Sequence, residues 1–341
     1  MKHRVVRAVV AVVGLAAVSM IARAAGEVVV YTSVDDVFAR PVAQRFERAT
    51  GIRVRLVPDT EETKSTGLLN RLIAERRRPV ADVFWSGDPV RTAILRQRGV
   101  SEPYRSPVAA GLPAAYSDPA GHWTGFSARA RVLLYNTRLI DPAQAPRAVA
   151  DLADARFARK GCIANPLFGT TSMHAAALFQ TMGDAPARAF FGRLQANGVR
   201  VLSSNGEVRR AVAAGDCALG LVDTDDAAGA VHDGKPVAVV FPDADGTGAV
   251  IVPNAVMLVK NAPHPDAAKR FIDFLLSADT ESALARSGAA QMPLRPGVVT
   301  PPEVRALGSV RAMKLDYAGL ATLLDGLSRG FLEEWVDGAR R

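Results

Sequence analysis

Two apolar segments decide the fold of this chain: Gly125 to Tyr135, which reads GFSARARVLLY, and Ala249 to Val259, which reads AVIVPNAVMLV. Both are long for single strands, and shorter strands alternate with helices before, between and after them. A strand that leads out of one α/β unit and a second strand that leads back are expected when one lobe is inserted into another. We therefore predict two lobes joined by two crossing strands, with a cleft between the lobes.

Each predicted lobe has the alternation of strands and helices that produces a parallel sheet covered by helices. The fold class is therefore α/β, with two Rossmann-like lobes. We assign 25–125 and 257–341, including the C-terminal helices, to lobe 1, and 126–256 to lobe 2, with hinges near 126–132 and 250–257.

The first 24 residues have the form of a secretory signal. Basic residues between Lys2 and Arg7 precede an apolar run from Ala8 to Ala22, and Ala22-Arg23-Ala24 is typical of a signal-peptidase site. A retained membrane anchor is the alternative, but the apolar run is shorter than the roughly 20 residues that span a bilayer. We predict cleavage near Ala24 and export to the periplasm.

Without the predicted signal, the chain carries only a small positive charge. Residues 1–24 contain four Lys or Arg and no acid, so the formal charge falls from +8 to +4. Arg76-Arg77-Arg78 is the dense basic cluster that remains, and it has no interleaved aromatic residues to stack on bases. A solvated helix end explains this run, and we expect no nucleic-acid partner.

The two cysteines, Cys162 and Cys217, each lie at or just before the start of an apolar segment of predicted lobe 2. Neighbouring strands would bring them together, and an exported chain meets an oxidising environment in which disulfides persist. A structural disulfide is one interpretation and two free thiols the other. No His and acid pattern accompanies either cysteine to indicate a nucleophile.

Small polar residues follow several predicted strands, at the positions where ligands of open α/β sheets bind. Helix starts there offer free amides to anions, and glycine lets the backbone approach a ligand. The candidate ligand-binding residues in these groups are Thr32, Ser33, Trp85, Ser86, Asp88, Gly169, Thr170, Thr171, Ser172 and His174. Plain N-capping is the alternative for the hydroxyl residues. Trp85 could instead fill a strand end, and His174 could be an ordinary buried or surface histidine.

The stretch GLVDTDDA, from Gly220 to Ala227, places three carboxylates directly after an apolar run. In one interpretation, Asp223, Asp225 and Asp226 bind a ligand. Alternatively, Asp223 can cap the following helix, with the other two in a first turn where the helix dipole favours acids. The sequence leaves both interpretations open.

Enzyme motifs are absent from the sequence. It has no Gly-x-Ser-x-Gly elbow, no His-Glu-x-x-His, no Walker loop and no Gly-x-Gly-x-x-Gly after a strand. The four histidines beyond the signal show no metal-binding spacing to one another. We expect no catalysis and no cofactor, and the rival from the enzyme class is a secreted phosphoester hydrolase built on the acidic cluster.

Six stretches together resemble the periplasmic solute-binding proteins of ABC importers, in the class related to bacterial ferric-ion-binding proteins. They are VVVYTSVDD, FERATGIRVRLV, ADVFWSGDP, RVLLYNT, NPLFGTT and NAVMLVKNAPHPDAAKRFIDFLLS. The resemblance implies a type II periplasmic-binding-protein fold whose lobes close on a solute. It also implies docking onto a membrane permease with a separate ATPase, a monomeric state and no catalysis.

The chain departs from the ferric-binding pattern at the iron ligands. Such relatives usually hold iron through adjacent tyrosines after the strand that corresponds to GLV, where this chain has Asp225 and Asp226. Asp88 is displaced by one position from their acidic ligand. Gly169-Thr170-Thr171 does match their oxyanion-holding helix start, so the resemblance implies an oxyanion-bearing solute.

Carboxylates near a bound anion constrain the rest of that solute. Two like charges roughly 4 Å apart repel by about 4 kcal/mol at an effective dielectric of about 20, so a positive or hydrogen-donating part is needed. A phosphonate, sugar phosphate or similar small anionic or bipolar molecule is the leading prediction. Ferric iron with a synergistic anion, held by Asp225 and Asp226, is the alternative; no other metal is expected.

Overall fold

The computed structural model of the protein describes residues 26–59 and 66–339. The predicted signal peptide, residues 1–24 with cleavage near Ala24, lies outside these ranges. None of the helices within them combines the length and apolar character that crossing a membrane requires.

Ten strands and eleven α-helices lie within the described residues. The strands are β1 (Glu27–Thr32), β2 (Arg53–Pro58), β3 (Val83–Ser86), β4 (Ser101–Glu102), β5 (Thr124–Asn136), β6 (Gly161–Ala164), β7 (Arg200–Leu202), β8 (Leu219–Asp223), β9 (Val237–Val240) and β10 (Ile251–Val259). The helices are α1 (Asp36–Thr50), α2 (Thr66–Glu75), α3 (Pro89–Gln97), α4 (Gly169–Met182), α5 (Asp184–Ala196), α6 (Asn205–Ala214), α7 (Thr224–His232), α8 (Pro265–Leu275), α9 (Ala278–Arg286), α10 (Tyr317–Ser328) and α11 (Phe331–Ala339).

One path of hydrogen-bonded strands runs through the molecule in the order β2-β1-β3-β10-β5-β8-β6-β7. β1 pairs in parallel with β2 and β3, and β6 pairs in parallel with β7 and β8. Between these two parallel groups lie β10 and β5, which are antiparallel to each other. Each parallel group, with the helices that pack on it, forms one α/β unit, and we call these units the first layer and the second layer. The predicted two-lobed α/β fold is confirmed.

Strand β5 is shared by the two layers. Residues 124–130 pair with β10, and residues 131–136 pair with β8 and β9. Every residue of this strand is buried except Arg129, which is partly exposed. The change of partner falls within the segment 126–132, whose role as a hinge stays a prediction.

The last helix, α11, packs on α5 of the second layer. The assignment of residues 257–341 to lobe 1 stays a prediction. The indole of Trp335 donates to the carbonyl oxygen of Phe191 at 2.8 Å, and the two rings lie 5.2 Å apart. Phe331 adds edge contacts to Phe179 and Phe191. Aromatic side chains of α11, α4 and α5 thus pack against one another.

Cys162 in β6 and Cys217, just before β8, are joined by a disulfide, with their Cα atoms 6.1 Å apart. The parallel pairing of β6 with β8 brings the two residues together. The bridge spans a sequence separation of 55. In the chain-entropy treatment, a closed loop of that length stabilises the fold by about 4 kcal/mol.

Candidate ligand-binding cleft

A cleft of about 490 Å³ opens between the two layers, at the carboxyl ends of their parallel strands. Five of the described helices, α1, α3, α4, α6 and α7, begin at its wall. Each helix start carries free amides and the positive end of the helix dipole, so the wall favours anions. Ligands of open α/β sheets bind at this kind of position.

The structure brings eight of the predicted residues to this cleft and buries the other five behind it. Those that line the cleft are Ser33, Asp88, Gly169, Thr170, Thr171, Asp223, Asp225 and Asp226. Those that are buried and do not line it are Thr32, Trp85, Ser86, Ser172 and His174. The ends of the strands therefore locate the site, although not every residue of each group reaches the ligand space.

Three of the buried residues stabilise the strand ends of the first layer. Thr32 Oγ1 accepts from the amide two residues later at 3.1 Å, and Ser86 Oγ accepts from the amide two residues later at 3.3 Å. Trp85 packs on Phe126 with ring centroids 6.0 Å apart. Of the two interpretations of Trp85, the structure supports packing.

His174 lies behind the start of α4 and faces away from the ligand space. Neither ring nitrogen has a hydrogen-bond partner among the described residues, and the ring borders a small apolar cavity. Burial is the main cause that lowers the pKa of His174 to about 3, with Arg131 as a further cause. The imidazole is therefore neutral at physiological pH and is not placed to contact a solute.

A buried ion pair lies at the centre of the cleft wall. Arg131 of β5 has no exposed surface, and its Nη1 donates to Asp223 Oδ1 at 2.8 Å. The same guanidinium donates to the hydroxyls of Thr170 at 3.0 Å and Thr171 at 3.2 Å. Thr170 donates to Asp223 Oδ2 at 2.7 Å, and the Asn205 amide bonds both threonines. This buried network ties β5, β8, α4 and α6 into one wall, since buried charges persist when they are paired and hydrogen-bonded.

Arg129 links the acids of the second layer to the first layer. Its Nη1 lies 3.2 Å from Asp223 Oδ2 and 3.7 Å from Asp225 Oδ2, and its Nη2 donates to the carbonyl oxygen of Gly87. Burial works to lower the pKa of Arg129, but the neighbouring carboxylates raise it above its ordinary value. Burial works to raise the pKa of Asp223, but Arg131 and Arg129 hold it below its ordinary value. Arg129 and Asp223 are therefore both ionised at neutral pH, and their charges are paired.

The helix-cap interpretation of GLVDTDDA holds only in part. Asp223 occupies the N-cap position of α7 but makes no side-chain cap hydrogen bond, because the two arginines and Thr170 take its carboxylate. Asp225 and Asp226 do lie in the first turn, where the dipole favours them, and both line the cleft. These two are the carboxylates that can meet a solute.

The start of α4 offers backbone amides to the cleft. No side chain caps this helix, and the first amide that bonds within it is that of Ser172, to the carbonyl oxygen of Phe168. The amides of Gly169, Thr170 and Thr171 come before that bond. The hydroxyls of both threonines belong to the buried network. Gly169 has a φ of 53°, a conformation that favours glycine.

Arginines are the site residues that the sequence prediction missed. Arg209 and Arg210 of α6 line the cleft, as Arg129 does. Arg209 Nη1 lies over Gly229 of α7, only 2.6 Å from where a Cβ would stand. Arg129 and Arg131 did leave a signal, because two arginines at alternate positions of an apolar strand require buried partners. Arg209 and Arg210 leave none, since basic residues on a helix surface are common.

Known proteins resemble this chain over most of its length. Residues 78–313 match the model of the bacterial extracellular solute-binding protein family. Iron uptake protein A1 of Synechocystis is 28% identical over 291 residues, which are 81% of this chain and 79% of the relative. A periplasmic protein of Salmonella typhimurium, named as a candidate for binding 2-aminoethylphosphonate, is 28% identical over 262 residues, 74% of this chain and 73% of the relative.

A solved structure shares the fold. The periplasmic binding protein AfuA from Actinobacillus pleuropneumoniae, with exogenous fructose-6-phosphate bound, superposes with a TM-score of 0.78 at 23% identity. The match covers 92% of this chain and 99% of AfuA. The family match spans more than half of the chain, and it includes most of the cleft, from Gly87 to Gly229. The chain therefore belongs to the family of bacterial extracellular solute-binding proteins and is the solute-binding component of an ABC transporter.

Proposed function

We propose that the protein captures a small organic phosphate or phosphonate in the periplasm and delivers it to the membrane permease of its transporter. In this proposal it acts as a monomer without a cofactor. The observation that carries the proposal is the uncapped start of α4, Gly169 to Thr171, at the cleft. Free amides at a helix start are a general binding site for phosphoryl groups.

The arginines of α6 support the same assignment. Arg209 and Arg210 both line the cleft. Guanidinium groups match the geometry of phosphate oxygens and form charge-assisted hydrogen bonds with them. A phosphoryl group between α4 and α6 would therefore meet amides on one side and cations on the other.

Asp225 and Asp226 define the opposite end of the solute. Both are half-buried in the cleft wall, and an anion roughly 4 Å from one of them would be repelled by about 4 kcal/mol at an effective dielectric of about 20. An ammonium or hydroxyl group removes this repulsion by donating hydrogen bonds. The Salmonella relative is named for such an aminophosphonate and AfuA holds a sugar phosphate, which supports a bipolar solute.

Ferric iron with a synergistic anion is the second candidate. Ligand oxygens of Asp223, Asp225 and Asp226 lie within 4.8 Å of one another, and the Synechocystis relative is named for iron uptake. However, iron would have to compete with Arg131 and Arg129 for Asp223. The described residues that line the cleft include no tyrosine, so the phenolate that ferric iron favours is not supplied by them. The organic solute ranks first.

Catalysis does not form part of the proposal. A phosphoester hydrolase needs a base or a metal beside the phosphoryl group. His174 lies behind the cleft wall, and Asp223 is held in ion pairs. Neither His174 nor Asp223 is therefore placed to act as the catalytic base.

The test removes the cations of α6 and leaves the buried network intact. The double variant Arg209→Gln with Arg210→Gln should bind 2-aminoethylphosphonate or fructose 6-phosphate at least about tenfold more weakly, because hydrogen bonds to charged groups contribute about 1.5–3 kcal/mol. Isothermal titration calorimetry measures the affinity. The matched control is Arg329→Gln, which removes an arginine whose side chain is 69% exposed. Equal binding by the double variant and the wild type would overturn the placement of the anion.

A further inference from the structure

A second buried guanidinium lies at the back of the cleft. Arg91, in the first turn of α3, is 2% exposed. Its Nη1 donates to the carbonyl oxygen of Gly169 at 3.3 Å, and its Nη2 donates to Ser172 Oγ at 2.7 Å. Ser172 Oγ donates to the same Gly169 carbonyl at 2.7 Å. Two side chains therefore converge on one carbonyl at the start of α4.

We infer that Arg91 is a positioning residue for the anion site. It holds the peptide between Gly169 and Thr170 in the orientation that presents the Thr170 N–H to a bound oxyanion. The inference rests on the proposed function, because it assigns Arg91 a role in binding the phosphoryl group at the start of α4.

The geometry of the peptide bond carries this inference. A trans peptide directs its C=O and N–H to opposite sides, and no peptide bond of the described residues is cis. Arg91 and Ser172 take the Gly169 carbonyl on the buried side, so the Thr170 N–H points to the other side, and Thr170 lines the cleft. A cation bonded to the carbonyl also polarises the peptide and strengthens its N–H as a donor. Arg91 thus acts on the solute through one peptide without touching it.

Asp88 supports this arrangement. Its Oδ1 accepts from the amides of Val90 and Arg91 at 2.9 and 3.1 Å, as the N-cap of α3. Its Oδ2 lies 3.6 Å from Arg91 Nη1 and has no hydrogen bond with another described residue. This long ion pair neutralises the charge of the guanidinium, whose Nη1 and Nη2 donate to Gly169 and Ser172 of α4. Asp88, a candidate ligand contact from the sequence, therefore serves the site through Arg91.

The contact also joins the two layers of the molecule. Arg91 belongs to a helix of the first layer, and both of its acceptors lie in α4 of the second layer. Movement of one layer away from the other would break these bonds and release the peptide. The Thr170 amide is therefore oriented for an anion when the layers are together.

The forked shape of arginine makes one substitution informative. Lysine at position 91 keeps the charge, but its compact ammonium lacks the two-pronged donor that serves Gly169 and Ser172 together. A loss in Arg91→Lys therefore reports geometry and not charge. The matched control is Arg98→Gln, at the end of the same helix, which removes an exposed pair with Asp325.

The experiment combines titration calorimetry with amide NMR of the exported chain. The probes are 2-aminoethylphosphonate, fructose 6-phosphate and inorganic phosphate. Arg91→Lys should weaken the tightest probe about tenfold, the loss of one charge-assisted hydrogen bond, and should shift the Thr170 amide proton in the ligand-free protein. Arg98→Gln should change neither. If Arg91→Lys does not fold, Ser172→Ala replaces it and should give a smaller change in both readouts.

The outcomes separate this inference from the proposed function. If the wild type binds a probe, and Arg91→Lys binds it equally with an unmoved Thr170 amide, the positioning role is overturned and the proposed function stands. If no probe binds the wild type, the proposed function fails for these solutes. The chemical shift of the Thr170 amide proton in the ligand-free protein then still tests whether Arg91 orients this peptide. A shift in Arg91→Lys supports the orienting contact, and an unmoved resonance overturns it.

Discussion

The starts of α4 and α7 lie at the same cleft but leave opposite kinds of group for a ligand. At α4, Thr170 and Thr171 direct their hydroxyls inward, and the uncapped amides remain. At α7, Asp223 directs its carboxylate inward, and the next two acids remain in the cleft. One start offers donors and the other offers acceptors. The difference follows from Arg131, which lies behind both starts and bonds the threonine hydroxyls and the Asp223 carboxylate.

Removal of Arg131 should disturb both starts and have the largest effect. Arg131→Met leaves the charge of Asp223 buried without its main partner, so the free energy of unfolding should fall by about 3–5 kcal/mol. Urea denaturation measures the loss. The control is Arg53→Gln, in an exposed pair with Glu27 where the arginine side chain is 74% exposed; such a pair contributes less than about 1 kcal/mol.

A second variant separates the lost pair from lost packing. Arg131→Met with Asp223→Leu removes both charges and should recover part of the stability, since no uncompensated charge stays buried. Wild-type stability in the single Arg131 variant would show that this ion pair does not hold the wall together.

The sequence predicted the architecture because that information is local. Alternating strands and helices and two long apolar strands were enough for the two-layer fold and for the position of the cleft. The packing of α11 was not predictable in this way, because the apolar face of a helix does not say which layer it covers. The buried network was missed because Arg131 and Asp223 are 92 residues apart, so no local pattern links them. The sequence therefore identified the polar residues at the strand ends, but not which of them form buried hydrogen bonds and ion pairs with one another.

Gly169→Ala should disturb the start of α4, with an effect on stability between those of Arg131→Met and Asp225→Asn. An added Cβ would meet nothing within 4 Å, but the φ of +53° is unfavourable for a side chain, so the variant should lose about 1–2 kcal/mol of stability. Its affinity for phosphate-bearing probes should fall as well, because relaxation of φ turns the first amides. Thermal unfolding and calorimetry measure the two effects.

The matched control for this change is Gly192→Ala in α5. Its added Cβ also meets nothing within 4 Å, and its φ is not positive. Inside a helix this change should be neutral or stabilising by up to about 1 kcal/mol. If Gly169→Ala binds the probes as well as Gly192→Ala does, the backbone geometry of the α4 start is not needed for the anion.

Asp225→Asn tests the acids at the start of α7, and we expect it to have the smallest effect on stability. Arg129 lies 3.7 Å from Asp225 Oδ2 but forms a closer ion pair, at 3.2 Å, with Asp223, so the loss of stability should be smaller than in Arg131→Met. Affinity for 2-aminoethylphosphonate should fall more than affinity for inorganic phosphate, since only the first carries an ammonium group. Asp233→Asn, at the exposed end of the same helix, is the control. An equal loss for both probes would mean that Asp225 does not select the positive end of the solute.

The identity of the natural solute tests the central claim most directly. The measurement is mass spectrometry, with elemental analysis, of the molecule released from protein that is purified without denaturation from its own periplasm. We predict a small organic molecule with one phosphate or phosphonate group and at least one ammonium or hydroxyl group. Stoichiometric iron, or a solute that carries no oxyanion, would contradict the account.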